Sequence, residues 1–355
     1  MCVTGEGNEG GNDNGGAGRR RRRLKIAGFA LVGVLVLGAS GAGWAFWRLN
    51  SNIKSVDINS ALGDNRPARI QSAASPEALA TAEALPSGAL NILVLGSDSR
   101  SGKENAELGG GDEDSGARSD TAMVVHIDEG RTEATVVSIP RDTLVTRPSC
   151  PLESGGSTAV AYSVMFNSAY AVGGPICAVK TVEAMTNVRM DHYVEIDFAG
   201  FAKLVDALGG VTVTTDEDID DEDSHLKLQA GTHHLDGEQA LALARTRHGI
   251  GDGSDLGRIG LQQKLVKALL DQISSTDLLA EPTRLYEVAD AITGSLTTDT
   301  GLDSLTDLIR LGKSLKGLSS DATRTVMMPV VTAPYDSNRV VADEPEASEL
   351  WESLR

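Results

Sequence analysis

The sequence has few aromatic residues and far less positive than negative charge. Phenylalanine, tryptophan and tyrosine make up 4% of the 355 residues. Lysine and arginine number 32 against 50 aspartates and glutamates, which gives a formal net charge of −18. A surface that binds the phosphate backbone of nucleic acid needs an excess of positive charge. The composition therefore argues against a nucleic-acid partner.

Several motifs of catalysis and metal binding are also missing. No G-x-S-x-G is present, so a serine hydrolase has no support. The acidic run 216–223 begins like a calcium loop, but an EF-hand needs glycine and glutamate where Asp221 and Lys227 stand. We interpret this run as a solvated loop. The pair His233-His234 lacks the spacing of metal ligands, and we interpret it as a surface turn.

The chain has three cysteines and no C-x-x-C pair, the spacing that favours zinc or redox chemistry. Cys2 precedes a long apolar segment, whereas Cys150 and Cys177 follow it. An oxidising compartment permits a disulfide between Cys150 and Cys177. Two buried thiols are the alternative.

The N-terminal part of the chain has the pattern of a membrane anchor. Residues 26–47 contain no charged side chain. A helix of that length spans about 33 Å at 1.5 Å per residue, enough to cross the hydrocarbon core of a bilayer. Five arginines at 19–23 precede it, so the positive-inside rule places the N-terminus in the cytoplasm. We expect a single-pass protein of the cytoplasmic membrane with its catalytic domain outside the cell; a cleaved signal peptide is the alternative.

Composition divides the rest of the chain. Residues 1–25 are polar and end in the basic arginines, which predicts a disordered cytoplasmic stub. Residues 48–88 are rich in Ser, Ala, Asn and Pro and predict an extracellular stalk with little regular structure, in which SVDIN (55–59) is a candidate short strand. We predict a folded domain over 89–334 and a polar C-terminal tail over 335–355.

Strand-like and helix-like segments alternate through the folded domain. The apolar run 91–95 indicates a buried strand. Segments 121–128 and 133–140 flank a turn and indicate an antiparallel hairpin. Strands and helices interleave around one sheet, which predicts a three-layer α/β or an α+β domain. The predicted helices include 158–172, 175–187, 198–210, 238–244 and 258–273.

Polar residues at the ends of predicted strands are the candidates for a functional site, because a sheet delivers such residues to one crevice. Asp98 follows the strand 91–95. Arg118 and Asp120 precede the next strand, and on an extended segment their side chains share a face. Arg141 and Asp142 end the third strand.

Four further polar residues lie later in the chain. Arg245 and Arg247 are two apart and share a face if the segment is extended, whereas Arg258 and Gln262 are four apart and share a helix face. Guanidinium groups match phosphate oxygens through paired hydrogen bonds, and two aspartates suit a Mg²⁺ ion that bridges such oxygens. The whole set fits a diphosphate. Each residue alone also has an ordinary explanation, such as compensation of a helix C-terminus by Arg245.

These segments, in this order, resemble the LytR-CpsA-Psr (LCP) family of cell-wall glycopolymer transferases. The resemblance covers about half of the chain, and the predicted anchor and stalk fit the layout of the family. Seven motifs carry it: NILVLGSDSR, RSDTAMVVHID, VVSIPRDTLV, FNSAYAVGGP, YVEIDFAGFAKLVDALGGV, LDGEQALALARTR and DLGRIGLQQ.

The resemblance implies a single three-layer α/β/α domain whose mixed central sheet encloses an apolar groove for a polyprenyl tail. It implies that Asp98 and Asp120 are ligands of Mg²⁺ (or Mn²⁺). We predict that Arg118, Arg141 and Asp142 take part in catalysis; the resemblance does not assign the general base, for which Asp142 is the candidate. The implied reaction moves a glycosyl phosphate from a polyprenyl-pyrophosphate carrier to a peptidoglycan hydroxyl. The implied pyrophosphate contacts are Arg118, Arg141, Arg245, Arg247, Arg258 and Gln262.

Two positions depart from the pattern of the family. Met165 stands where many members have a lysine, and Leu261 stands where an arginine is common. We therefore expect one phosphate contact to be missing or replaced, with altered affinity or specificity. Two other functions stay open: a pyrophosphatase that hydrolyses the lipid carrier, and a non-catalytic membrane-anchored sensor of wall precursors.

Overall fold

A computed structural model of the protein describes residues 41–69, 88–97, 119–152, 155–247, 255–275 and 281–355; for Asp120, Asp255 and Pro282 it describes the backbone alone. The chain divides into two units, 1–51 and 52–355. In the first unit the described residues, 41–51, are helical. No helix within the described ranges is long and apolar enough to cross a membrane. The stub 1–25 and most of the predicted anchor 26–47 lie outside those ranges.

The second unit is an α/β domain. Its strands are β1 (Lys54–Val56), β2 (Leu90–Ser97), β3 (Ser119–Ile127), β4 (Ala134–Ile139), β5 (Leu144–Arg147), β6 (Ala161–Met165), β7 (His192–Asp197), β8 (Val211–Thr215), β9 (Ile219–Asp221), β10 (Leu226–Leu228), β11 (Gly231–Leu235), β12 (Leu296–Asp299), β13 (Thr323–Met327), β14 (Val330–Ala333) and β15 (Asp336–Ala342). Its helices are α1 (Ile58–Leu62), α2 (Ser168–Thr186), α3 (Phe198–Ala207), α4 (Gly237–Arg245), α5 (Asp255–Ser275), α6 (Pro282–Ser295), α7 (Leu305–Ser314) and α8 (Glu346–Glu352).

Seven strands form a mixed central sheet in the order β1-β12-β7-β2-β3-β4-β13. Strand β3 is antiparallel to both β2 and β4, whereas β7 is parallel to β2 and β13 is parallel to β4. The predicted hairpin is confirmed as β3 and β4. The Asp128 carboxylate stabilises its turn by accepting hydrogen bonds from the backbone N–H groups of Gly130, Thr132 and Glu133.

The two faces of this sheet are covered to different degrees. Leu93 and Val124 on one face are fully buried in a cluster with residues of α1, α2 and α8. On the other face, where α7 contributes to the packing, Val94, Val125 and Val194 remain half-buried. The central strands of a sheet covered by helices on both sides are normally buried on both faces. Ile92 and Met123 on the same face are buried, so the second face is less completely filled around these three valines.

Helix α2 is interrupted, as its sequence predicts, at Gly173 and Gly174, whose backbone angles are not helical. The predicted helix over 158–172 is wrong in its first half, because 161–165 form strand β6 paired with β5. A short apolar run does not show whether it is helix or strand by its periodicity. Pairing with β5 decides the conformation of this segment.

The predicted stalk over 48–88 is wrong for its first part. Strand β1 pairs with β12 in the central sheet, and Ile58 and Leu62 of α1 are buried in the main core. Arg66 forms a buried ion pair with Glu183 of α2 at 2.6 Å. Strand β1 confirms part of the candidate strand 55–59, whereas α1 holds too few apolar residues for its periodicity to reveal it.

The predicted polar tail over 335–355 is also wrong. Strand β15 pairs with β14, and Ala347, Trp351 and Leu354 are buried in the core cluster of the sheet. Acidic residues are frequent in this segment, so its three buried positions do not form a recognisable apolar pattern in the sequence. The compact unit therefore extends from residue 52 to residue 355.

Candidate functional site at one edge of the sheet

Strand ends from the middle of the sheet meet at one edge. Strand β2 ends at Ser97, which pairs with Ser119 at the start of β3 and with Asp197 at the end of β7. Strand β4 ends at Ile139, whose partner Ala122 lies near the start of β3. The segments that carry the predicted site residues therefore leave the sheet side by side.

Three of the predicted site residues have side chains that the structure does not describe. Asp98 and Arg118 lie outside the described residues. The backbone of Asp120 lies at the start of β3, between Ser119 and Thr121, at the shared edge. The metal-ligand roles of Asp98 and Asp120 and the head-group role of Arg118 stay predictions.

Arg141 and Asp142 follow β4 directly and are held by two neighbouring elements. The Arg141 carbonyl accepts a hydrogen bond from the N–H of Asn167, and the Asp142 carbonyl accepts one from Val340 of β15. The Asp142 carboxylate lies 3.7 Å from Nε of Arg141 and 3.6 Å from Nη1 of Arg339. Asp142 thus lies between two guanidinium groups. No sequence motif points to the second of them, that of Arg339.

Arg245 reaches the same edge through an aromatic contact. It is the last residue of α4, a helix that begins with a capping box formed by Asp236 and Gln239. Its guanidinium carbon lies 5.0 Å from the centre of the Phe198 ring, within the distance of a cation–π interaction. Phe198 is the first residue of α3 and directly follows Asp197 at the end of β7.

Arg247 is held through its backbone. Its N–H donates a hydrogen bond of 2.7 Å to the carboxylate of Asp221, which is 1% exposed and also accepts from the N–H groups of Asp223 and Ser224. The interpretation of 216–223 as a solvated loop is therefore wrong for 219–221, which form β9. A single buried carboxylate within an acidic run gives no signal in the sequence.

The other interpretation of a polar pair as a turn is also wrong. His233 and His234 lie in β11, which is antiparallel to β8, and not in a surface turn. His233 is partly exposed and His234 is exposed. Among the described residues, the structure contains no group of three or more His, Cys, Asp or Glu that fits a metal ion.

Arg258 and Gln262 lie four residues apart on α5, as predicted, and both are buried, with exposures of 3% and 6%. The side-chain amide of Gln262 donates to the Thr121 hydroxyl and to the Ala244 carbonyl, each at 2.9 Å. These bonds attach α5 to the start of β3 and to the end of α4. Arg258 is one helical turn away on the same helix.

Cys150 and Cys177 are joined by a disulfide with an S–S distance of 2.01 Å. It links the segment after β5 to α2 close to the interruption of that helix. A Cβ atom on Gly173 would lie 2.8 Å from the Cβ of Cys177. Glycine is therefore required where the helix passes the disulfide.

The site combines cations with a hydrogen-bonded scaffold. Arg141 follows β4, Arg245 ends α4 and Arg258 lies on α5, and these three segments reach the sheet edge in a chain with an excess of acidic residues. Guanidinium groups in such a setting bind anionic oxygens through charge-assisted hydrogen bonds. The arrangement is suited to hold a phosphate-containing ligand in a fixed position.

Comparison with known proteins gives the same assignment as the motifs. The model of the LytR_cpsA_psr family matches residues 45–355. The chain is 36% identical over 271 residues to the probable cell wall biosynthesis protein LcpB of Corynebacterium glutamicum, a match that covers 75% of this chain and 61% of LcpB. It thus spans less than two thirds of the length of that relative.

Two further similarities involve TagT of Bacillus subtilis. The chain is 30% identical to the polyisoprenyl-teichoic acid–peptidoglycan teichoic acid transferase TagT, over 85% of this chain and 86% of TagT. The fold also matches a solved structure of the LytR-CPS2A-psr family protein YwtF (TagT) with bound octaprenyl pyrophosphate lipid. That match has a TM-score of 0.51 and 25% identity, and it covers 75% of this chain and 89% of the other.

Proposed function

The chain belongs to the LytR-CpsA-Psr family, and on that basis we propose that it transfers a glycosyl phosphate from a polyprenyl-pyrophosphate carrier to a hydroxyl of peptidoglycan. Homologues of the family are named as teichoic acid–peptidoglycan transferases. One homologue structure contains octaprenyl pyrophosphate. The glycopolymer carrier and the peptidoglycan acceptor are therefore the proposed partners of this chain.

The observation that carries the proposal is that the segments with Arg141 and Arg245 lie at one edge of the sheet, where Gln262, one helical turn from Arg258, contacts β3. Gln262 attaches α5 to β3 and to the end of α4. A pyrophosphate offers several anionic oxygens, which suit guanidinium groups from several directions. We assign the pyrophosphate head group of the carrier to this edge.

The incompletely filled face of the sheet, around Val94, Val125 and Val194, offers a location for the lipid tail. Thr121 shares that face with Val94 and Val125, because side chains alternate along a strand and paired residues share a face. Gln262 covers Thr121 at the site end, and Leu311 of α7 packs at the opposite end. The half-buried valines lie between them. We propose that the polyprenyl tail lies against these valines, with its head group at the sheet edge.

The residues at the edge fit a divalent cation as part of this proposal. The paired ends of β2 and β3 bring Ser97 next to Ser119, and Asp98 and Asp120 are the next residues in the sequence. Two aspartates supply the hard oxygen donors that Mg²⁺ prefers. Asp98 and Asp120 would hold the ion. Bound there, Mg²⁺ (or Mn²⁺) offsets negative charge on the phosphate oxygens.

The proposed reaction needs mainly positioning and charge stabilisation from the protein. The acceptor oxygen bonds to the phosphorus that carries the glycan, and the bond from that phosphorus to the bridging oxygen breaks. Polyprenyl phosphate leaves with the electron pair. The hydroxyl proton passes to the Asp142 carboxylate, which Arg141 and Arg339 hold in place.

We also propose the location that such a reaction requires. Residues 26–47 anchor the chain in the cytoplasmic membrane, with the N-terminus inside the cell and residues 52–355 outside. Fusion of a reporter that is active only on one side of the membrane, at position 10 or after Arg355, tests this topology. Activity of the C-terminal reporter in the cytoplasm contradicts it.

Transfer by the full-length chain is the test of the proposed activity. The assay supplies a polyprenyl-pyrophosphate-linked saccharide, Mg²⁺ and soluble peptidoglycan, and it measures covalent product and released polyprenyl phosphate. We expect Arg141→Ala to lower transfer about 100-fold, as loss of one charge-stabilising donor typically does. Arg324→Ala, at an exposed position on β13, is the matched control.

Two outcomes contradict the proposal. If Arg141→Ala and wild type transfer at equal rates, the assignment of the pyrophosphate head group to this edge is wrong. Release of polyprenyl phosphate without covalent product, under every acceptor condition, identifies a pyrophosphatase instead of a transferase.

A further inference from the structure

A cleft of about 690 Å³ opens beside Asp142, within the size range of ligand-binding sites. It lies between two hairpins, β5–β6 and β14–β15. A bridge between Thr143 and Val340 and the hydrogen bond from Val340 to the Asp142 carbonyl hold the hairpins together. Residues that line the cleft include Leu144, Ser163, Met165, Tyr335, Asp336 and Arg339.

The cleft lining contacts the proposed site through one residue. Arg339 lines the cleft, and its Nη1 lies 3.6 Å from the carboxylate of Asp142. A molecule in the cleft that contacts Arg339 is therefore next to the group proposed to accept the hydroxyl proton. The cleft has no role in the binding of the carrier proposed above.

The lining combines an exposed aromatic ring with polar side chains. Tyr335, at the tip of β14–β15, is fully exposed, and Tyr162 on the other hairpin is 75% exposed, although the whole chain has five tyrosines. Exposed aromatic rings beside polar groups are typical of binding surfaces, because the ring is apolar and its hydroxyl forms hydrogen bonds. Asp336 and Ser163 add further hydrogen-bonding groups. Such a surface suits a saccharide, which has both C–H faces and hydroxyl groups.

The backbone at the rim of the cleft is also unusual. Ser163 has a φ of 51°, a left-handed conformation that residues other than glycine rarely adopt. Strained residues of this kind cluster at ligand-binding and active sites. The strain is consistent with a functional role for the β5–β6 hairpin.

The cleft and the proposed tail site lie toward opposite faces of the sheet. Helix α5 is bonded to Thr121 on the incompletely filled face, whereas Val145 and Phe166 beside the cleft pack in the cluster of the other face with Leu95. In phosphoryl transfer the attacking and leaving oxygens are roughly in line on opposite sides of the phosphorus. An acceptor that approaches from the cleft therefore arrives opposite the departing lipid phosphate.

We propose that this cleft binds the glycan strand of the peptidoglycan acceptor, with Tyr335 as the stacking ring and Arg339 and Asp336 as hydrogen-bonding partners. This inference rests on the proposed function, because it takes the acceptor from it. The described cleft lining includes one carboxylate, Asp336, and one guanidinium, Arg339, so it has no net positive charge to attract an anionic polymer. The hydroxyl-rich glycan backbone of peptidoglycan needs no such charge. The glycan of the carrier is the alternative occupant.

Direct binding to the full-length chain tests the inference without turnover. A soluble tetrasaccharide of the peptidoglycan glycan strand is titrated calorimetrically in the absence of carrier. We expect Tyr335→Ala to raise its Kd at least about tenfold, as truncation of an aromatic contact at a binding surface can do. Tyr335→Phe keeps the ring and retains binding. Val331→Ala, at an exposed position on β14 outside the cleft lining, binds as wild type does. Equal binding by Tyr335→Ala and wild type, or no binding by wild type, overturns the inference.

A kinetic measurement separates this inference from the proposed function. In the transfer assay Tyr335→Ala should raise the KM for the tetrasaccharide and not the KM for the carrier. A rise confined to the carrier assigns the cleft to the donor glycan and overturns the inference, although the transferase stands. A third outcome is that the tetrasaccharide binds wild type but not Tyr335→Ala, while wild type does not act on the carrier. That outcome supports the cleft and contradicts the proposed function.

Discussion

The side-chain amide of Gln262 donates a hydrogen bond of 2.9 Å to the hydroxyl of Thr121, which is 141 residues away in the chain. A second bond of 2.9 Å from the same nitrogen reaches the carbonyl of Ala244. Three elements of the candidate site, α5, β3 and α4, thus depend on one buried amide. The position of Arg245 next to Ala244 makes this contact part of the proposed head-group site.

We expect Gln262→Ala to destabilise the fold and to weaken the site. Removal of the amide leaves the partly buried hydroxyl of Thr121 and carbonyl of Ala244 without this partner, and loss of such bonds costs about 1–3 kcal/mol. Gln263→Ala is the matched control, because its one described bond, to Ser138, is 3.4 Å long. Urea unfolding and carrier turnover measure the two effects. Equal stability of the two variants would show that the Gln262 contacts are unimportant.

The half-buried face of the sheet predicts an effect that depends on the length of the lipid. Val194→Phe places a larger side chain beside Val94 and should leave stability almost unchanged, because Val194 is not tightly enclosed. Displacement of two methylene groups of a tail costs about 1.6 kcal/mol, or more than tenfold in affinity. We expect this loss for an octaprenyl pyrophosphate and not for a two-isoprene pyrophosphate.

Val331→Phe, which enlarges an exposed valine on β14, outside the central sheet, is the control for this experiment. Binding is measured by displacement of a fluorescent lipid pyrophosphate. A loss of affinity that is the same for both lipids contradicts the assignment of the tail to this face.

The C-terminal segment predicts a stability effect. Trp351 is 3% exposed and packs in the same cluster as residues of the central sheet. We expect Trp351→Ala to lower the free energy of unfolding by about 3–5 kcal/mol, as truncation of a buried aromatic side chain does. Glu352→Ala, at the next and exposed position, should have little effect. A Tm for Trp351→Ala equal to that of Glu352→Ala would contradict the packing of this segment in the core.

His126 predicts a dependence of stability on pH. Burial lowers the pKa of His126 below 6.5, and nearby Arg131 lowers it further, although Asp128 and Asp191 oppose the shift. The unfolded chain therefore binds the proton more readily than the folded one. The contribution of His126 to stability is complete above pH 6.5 and is lost as the pH falls through the lower pKa of the folded state.

Chemical denaturation at pH 7.5 and at pH 5.5 checks this prediction. The wild type should lose more stability on acidification than His126→Gln, whose side chain does not titrate but can still hydrogen-bond to Asn91, the present partner of His126. An NMR titration that gives His126 a pKa above 6.5 contradicts it.

Strands β2, β3 and β4 of the central sheet could be predicted from the sequence because they have strong local signals, whereas β12, which is four residues long, could not. Apolar runs such as 91–95 end at polar or glycine residues, and the turn at 129–132 separates two β-branched segments. The N-termini of helices α3 and α4 are capped by Asp197 and Asp236, whose side chains accept hydrogen bonds from the first turn of each helix. Motif order then suggested which strand ends meet.

The missed features depend on contacts between distant residues. Arg339 lies in an exposed polar segment and gains its meaning only from Asp142, with which it makes contact across the sheet edge. Asp221 resembles its acidic neighbours in the sequence, but only the fold buries it against the backbone of Arg247. The same holds for Trp351, whose partners lie far away in the chain. Periodicity within one segment does not encode such pairings.

A structure of the full-length chain bound to octaprenyl pyrophosphate tests the central claim most directly. We predict that the pyrophosphate contacts Arg141, Arg245 and Arg258 at the sheet edge, and that the tail runs along Val94 and Val194. A lipid bound at a different surface, with its phosphates away from these three arginines, would contradict the account.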